Sequence, residues 1–265
     1  RFHVVEGVHD APLLIEHEGG LFVFYEAAGP RAGPARIDVA RLEGDRLEPL
    51  GTALCRDYHL SFPFVFRHGG AIYMMPETQQ SRRLEVWRAS DFPLRWELHA
   101  TAFEGQHLAD STLLEHEGQW WLFTNLSDHA AFQEHSSELY LFAVDGPDLR
   151  RITPHPLNPV VIGSGVARNA GAVIREGGRL FRPSQVNAHG VYGYGLNLME
   201  IERLDATGYR ERLHRRFTAA DLPGATGLHH LSMAGGRYVF DRAGRRGPSR
   251  RRWRWRCWRA PLSQS

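Results

Sequence analysis

The chain has 265 residues, and all 32 of its Lys+Arg positions are Arg. Without Lys there is no Schiff-base amine, no phosphate-loop Lys and no Lys general base. Arg keeps its proton in proteins, so proton transfer falls to 15 His, 30 Asp+Glu and 8 Tyr.

The net charge of +2 conceals an uneven distribution. Residues 1–202 hold 17 Arg against 26 Asp+Glu, and residues 203–265 hold 15 Arg against 4. A basic end of this kind can meet nucleic acid or an anionic membrane. With 42% hydrophobic and 23% charged residues the composition is that of a soluble globular protein. No apolar run approaches the ~18 residues of a membrane span. The chain opens at Arg1 without Met or a signal pattern, as expected of a fragment or a processed form; the compartment stays open, with the bacterial cytoplasm favoured. Cys55 and Cys257 form no metal or redox motif, and their pairing stays open.

In chain order, an apolar run, a Gly turn and a second apolar run recur five times. The copies are residues 13–25, 64–75, 113–123, 172–181 and 231–240. Each reads as a β-hairpin. Anchored on Gly19, Gly70, Gly118, Gly177 and Gly235, their spacings are 51, 48, 59 and 58 residues. That period suits a four-stranded propeller blade. Further strands are expected at 37–42, 83–88 with Trp96 beyond, 139–144 and 196–204. The sequence therefore predicts an all-β, five-bladed β-propeller in a single domain over residues 1–265. Between residues 250 and 258, Trp253, Trp255 and Cys257 alternate with Arg. This period of two predicts a strand closing the last blade, followed by a frayed tail over 259–265. The strand reading makes nucleic acid an unlikely partner.

In a propeller the first strand of each blade lines the central channel. The residues leading into the five copies are Asp10-Ala11-Pro12, Ser61-Phe62-Pro63, Asp110-Ser111-Thr112, Arg168-Asn169-Ala170 and His229-His230. Polar groups thus recur where they should face one shared cavity. Paired carboxylates can supply acid and base for glycoside cleavage, and an Arg can hold an anion or tune an Asp. The second strands end in Glu26, Glu77, Asn125, Ser184 and Arg242, each seven residues after its anchor Gly. Equivalent placement is expected for them. Glu77 follows Met74-Met75-Pro76, an apolar setting that raises a carboxyl pKa and suits a general acid. Asp10, Glu77 and Asp110 are the candidate catalytic groups. Ser61, Arg168, Arg182, Gln185, His229 and His230 are the candidate substrate contacts. No metal or cofactor is expected: His17, His68 and His116 lie in separate hairpins. Trp87, Trp96, Trp120, Trp121, Tyr192 and Tyr194 are expected mainly as packing, with sugar stacking the other role.

Three segments carry a family resemblance. They are residues 61–77 (SFPFVF through YMMPE), 113–124 (LLEHEGQWWLFT) and 155–185 (HPLNPV through RLFRPSQ). Together they resemble the N-terminal domain family of plant glucosamine inositolphosphorylceramide transferase, over roughly residues 10 to 241. That family is similar in fold to glycoside hydrolase family 43, five-bladed propellers that use two Asp and one Glu. The resemblance implies Asp10 as the first-blade Asp, with Ala11 interrupting the usual Asp-Pro, and Asp110 as the third-blade Asp, with Ser111 for Pro. Where the hydrolase acid Glu should stand, this chain offers Arg168 and Gln185. Glu77 belongs to the family's own pattern. In the plant protein a separate C-terminal domain is thought to transfer the sugar. The implied function is binding or processing of a glycan, glycolipid or nucleotide-sugar, hydrolase-like if catalytic. The alternative is a non-catalytic accessory domain of a larger glycosyl- or formyltransferase.

Overall fold

The computed structural model describes residues 3–4, 9–28, 33–44, 46–127, 135, 137–222, 224–246 and 250–259, with side chains given only between residues 10 and 243. Five antiparallel sheets follow one another along the chain and form a five-bladed β-propeller. The first blade is His9–His17, Gly20–Ala27, Arg36–Glu43 and Arg46–Leu54. The second is Ser61–His68, Ala71–Glu77, Leu84–Asp91 and Arg95–Ala102. The third is His107–His116, Gln119–Ser127, Glu138–Val144 and Ile152–Pro154, with Val161–Ile162 paired to the far end of its third strand. The fourth is Ile174–Glu176, Arg179–Ala188, Val191–Asp205 and Gly208–Thr218. Among the described residues, no helix is long and apolar enough to cross a membrane.

The fifth blade closes the ring. Leu231–Ala234 and Ala225–Gly227 pair with Arg237–Arg246, which pairs along its length with Arg250–Arg259. The N-terminal pair His3–Val4 adds to the other side of that Arg/Trp strand. The alternating segment is therefore a closing strand; its side chains, Cys257 included, and residues 260–265 lie outside the described residues.

Hairpin turns set the register. Glu18-Gly19, Gly69-Gly70, Glu117-Gly118, Gly177-Gly178 and Gly235-Gly236 all have positive φ at both residues. This is the two-residue type I′ connection, whose twist matches its flanking strands. The equivalent second turn residue in blades four and five is therefore Gly178 or Gly236, one later than the repeat pattern suggests. That shift of one matters for the site below.

Most aromatics pack within and between blades. Phe22, Phe24, Phe92 and Trp96 meet edge-on or tilted at centroid distances of 4.8–6.3 Å. Trp87, Trp96 and Trp121 are buried, whereas Tyr192 and Tyr194 are exposed. Fully burying a side chain such as Phe24 is worth about 1.5–3 kcal/mol.

Blades four and five meet through backbone. Leu231 N–H donates to the Ala170 carbonyl at 2.7 Å. Next to it, Gly171 has φ +145°, and a Cβ there would lie 1.9 Å from the Leu231 carbonyl oxygen. Gly171→Ala is expected to destabilise the fold by at least about 2 kcal/mol, read as a lowered urea midpoint. An unchanged midpoint would contradict this close approach.

Candidate functional site

The site is built from breaks in the inner-strand ladders. In blade one, Asp10 pairs with Glu26 and the next pair is Leu13 with Phe24. Ser61 with Glu77 is followed by Phe64 with Met75. Ala109 with Asn125 is followed by Thr112 with Phe123. Within each break sits a non-glycine residue in the left-handed region: Ala11 (φ 45°), Phe62 (φ 43°) and Asp110 (φ 49°). Such residues are uncommon and persist only where the surroundings enforce them. The bulge interrupts the alternation of a strand, so consecutive residues reach one side. Asp10 with Ala11, and Ser61 with Phe62, both line the pocket.

Asp110 is thus equivalent to Ala11 and Phe62, one position beyond the residue equivalent to Asp10. The pattern-based pairing of Asp10 with Asp110 is off by one. Both carboxylates still face the cavity, because the bulge presents either position.

The pocket is a cleft of about 180 Å³ at the channel mouth. Two ionic groups dominate it. On one side His229 lies between two carboxylates: its Nε2 is 3.2 Å from Asp10 Oδ1, and its Nδ1 contacts Asp241 Oδ2. The Asp241 carboxylate is wholly buried and also accepts the backbone N–H groups of His229 (3.0 Å) and His230 (2.8 Å). On the other side Arg168 Nε donates to Asp110 Oδ2 at 2.6 Å, and its Nη2 lies 3.9 Å from Glu77 Oε2. Glu77 Oε2 accepts the Asp110 backbone N–H at 3.3 Å. Gln185 Nε2 donates to Asp110 Oδ2 and to the Tyr192 hydroxyl, both at 3.5 Å. Arg168 lies over the Tyr192 ring, 5.3 Å from its centroid.

Burial and crowding of charge set the protonation states. Desolvation, with the nearby Asp110 charge, pushes Glu77 up to about 8. Desolvation pushes Glu26 up to about 7. Asp10 is held well above the usual carboxylate range, chiefly by burial and further by Asp241. Burial opposes charge on His229, but Asp10 and Asp241 outweigh it and hold the imidazole up to about 9. Burial keeps His230 down at about 4, so it is neutral. The site can donate a proton from Glu77 near neutral pH and can share one along Asp10–His229–Asp241.

Ligand atoms of Asp10, His229 and Asp241 lie within 4.8 Å of one another, the one such group among the described residues. Both imidazole nitrogens already face carboxylates.

Of the nine residues singled out in the sequence, eight line the pocket: Asp10, Ser61, Glu77, Asp110, Arg168, Gln185, His229 and His230. Arg182 does not. It is fully buried, bonded to Glu211 at 2.6 and 2.8 Å, to Asn169 Oδ1 and to the Val166 and Ala167 carbonyls. It ties the fourth blade's outer strand to the inner backbone. Counting seven residues from the second turn glycine selects Gln185 rather than Ser184 in blade four, and Gln185 is the one in the pocket. Ser184 and Asn125 are buried structural groups. In blade five Asp241, not Arg242, supports the site. Glu26, His59 and Tyr192 also line the pocket. Glu26 was legible as a polar strand end, and Tyr192 as a possible stacking residue. His59 precedes the second blade and carries no pattern.

The five-bladed architecture is shared with solved glycoside hydrolases. A thermostable family-43 glycoside hydrolase superposes with a TM-score of 0.61 at 14% identity, covering 79% of this chain and 76% of that one. The catalytic domain of the Coprinopsis cinerea GH62 α-L-arabinofuranosidase gives 0.66 at 12%, covering 97% and 96%. At these identities the likeness is one of fold. Sequence places the chain more narrowly. Residues 5–220 match the family described as glucosamine inositolphosphorylceramide transferase 1, N-terminal, and the chain belongs to that family. It is 37% identical over 205 residues to glucosamine inositolphosphorylceramide transferase 1 of Arabidopsis thaliana, covering 76% of this chain and 26% of that protein. The protein of the same name from Oryza sativa subsp. japonica is 36% identical, with 76% and 27% covered. The chain thus spans about a quarter of the length of these curated relatives.

Two outcomes follow, one from the buried pair that frames blade four and one from the pocket's charges. Breaking the Arg182–Glu211 pair by Arg182→Met strands a buried carboxylate and should cost about 3–5 kcal/mol. Replacing both partners by Leu should cost clearly less, as chemical denaturation of the two variants would show. His229 is held above its ordinary value, with Asp10, Asp241, Glu26, Asp110, His230 and Tyr192 around it. The folded state keeps this proton after the unfolded chain has lost it, so its contribution is complete below about pH 6.5 and is lost as pH rises through about 9. Thermal stability should fall over that window, and His229→Gln should flatten the slope.

Proposed function

We propose that this propeller is the carbohydrate-recognising part of a larger transferase and holds one sugar unit at the channel mouth. The observation that supports this reading is the convergence of Asp10–His229–Asp241 and Glu77–Asp110–Arg168 on one cavity of about 180 Å³. That space is the liquid share of about six waters, the scale of one sugar ring. Sugar hydroxyls both donate and accept, and the pocket offers both kinds of partner at fixed positions. Membership of a family whose named relatives are glucosamine inositolphosphorylceramide transferases, and which extend well beyond this domain, favours a supporting role within a longer chain.

A second reading is glycoside hydrolysis, favoured by the raised Glu77 and by the fold shared with hydrolases. Against it, the fourth blade presents Arg168 bonded to Asp110 where the related hydrolases are expected to carry an acid.

Calorimetry with a panel of monosaccharides and glycans separates the two. Saturable binding is expected, weakened at least about tenfold by Arg168→Ala and by Asp10→Asn, with no reducing sugar released. Glycoside turnover that disappears in Asp10→Asn would establish hydrolysis instead. Failure of any saccharide to bind at ~10 mM would end the recognition reading.

A further inference from the structure

A second cleft of about 380 Å³ adjoins the first and is lined by Ser164, Asn187, Ala188, His189, Gly190, Val191 and Tyr192. Tyr192 lines both clefts and forms their common wall. The cleft is shaped by the hairpin that joins Arg179–Ala188 to Val191–Asp205, whose turn residues His189 (φ 55°) and Gly190 (φ 68°) are both left-handed. A register break between Val186 and Ala188 takes Asn187 out of the ladder. Its side chain then links the two clefts: Oδ1 accepts the Gly193 N–H at 2.8 Å, and Nδ2 donates to Gln185 Oε1 at 3.3 Å. Gln185 in turn reaches Asp110 and the Tyr192 hydroxyl. The wall is therefore held from both sides.

The two clefts differ in chemistry. The first is lined by four carboxylates, an Arg and His229. The second is lined by neutral hydroxyl and amide groups, one His and an aromatic ring, with no Arg, Asp or Glu among the described residues. Tyr192 is 44% exposed and Tyr194 39%, with the Tyr194 ring edge-on to His189 at 5.2 Å. Gln185 reaches the Tyr192 hydroxyl, Arg168 and His229 pack against its ring from the first cleft, and the residue keeps 44% of its surface exposed where it lines the second. A partly exposed, oriented aromatic side chain beside amide and hydroxyl groups suits the apolar face and hydroxyl rim of a sugar ring. A diphosphate would need an Arg; the described lining of the second cleft holds none, and Arg168 at the shared wall is already bonded to Asp110.

Building on the carbohydrate reading, we infer that the hairpin cleft is a second sugar subsite. The ligand is then a chain of at least two units: one in the charged pocket, and a neutral sugar beyond Tyr192. A nucleotide-sugar is not the ligand of this face.

The test compares affinities by calorimetry for three probe classes: the monosaccharides, the di- and trisaccharides that end in them, and the corresponding uridine diphosphate sugars. The longer glycans are expected to bind roughly tenfold more tightly than their terminal monosaccharide, and the nucleotide-sugars no more tightly than it. Tyr192→Ala and His189→Ala should each shrink the ratio of oligosaccharide to monosaccharide affinity towards one. Tyr192→Phe, which keeps the ring, should preserve that ratio. Equal affinity at every length, or preference for the nucleotide-sugar, overturns the second subsite while leaving the single-sugar pocket intact. No saccharide binding of any length overturns both.

Discussion

Closure of the ring is the constraint on which the rest of this structure depends. A blade is a small sheet with two apolar faces, and each face needs a neighbour. The chain meets this condition at its seam by setting Arg250–Arg259 between Arg237–Arg246 and His3–Val4. Across the same seam the Leu14 N–H donates to Ser232 Oγ, 218 residues away in sequence, at 3.0 Å. Once the seam is made, the leading ends of the inner strands point at one another. Groups with no sequence proximity then become a single site.

That convergence has an electrostatic consequence. Asp10, Glu26, Glu77 and Asp110 are brought around one cleft with Arg168 and His229. Fewer cations than carboxylates leave some carboxyls without a compensating charge, and burial favours their neutral forms. Arg168 lies against Asp110, and His229 lies between Asp10 and Asp241. Glu77 and Glu26 are then pushed up towards neutral pH. The spread of protonation states is a property of the assembled pocket and of no single blade.

Much of the scaffold could be read from the sequence, because a β-hairpin is a local object. The strands expected at 37–42, 139–144 and 196–204 appear as Arg36–Glu43, Glu138–Val144 and Val191–Asp205. The glycine turns lie between paired strands as their pattern required. Candidate pocket residues were legible where they led a strand or ended one, as with Asp10, Glu77 and Gln185. Arg182 was misread because it also ends an apolar run; its role is set by Glu211, which lies 29 residues further on. His59 could not be found, since it lies between strands and only the fold brings it to 3.6 Å from Glu26.

The sequence by itself determined the strands, the glycine-containing hairpin turns, the number of blades and the alternating strand that closes the ring. These depend on side-chain period and on glycine's access to positive φ, both readable within a few residues. Only the tertiary structure decided that Asp110 sits one position off Asp10 in a left-handed bulge, and that Asp241 supports His229. It also decided that Tyr192 separates two clefts. Bulges and cross-blade contacts depend on partners that can lie 218 residues away or more, and no local pattern records them. The all-Arg composition tells the same story at its simplest. It announces permanent positive charge, but the fold alone assigns Arg168 to the pocket, Arg182 to the frame and the strand Arg250–Arg259 to the seam.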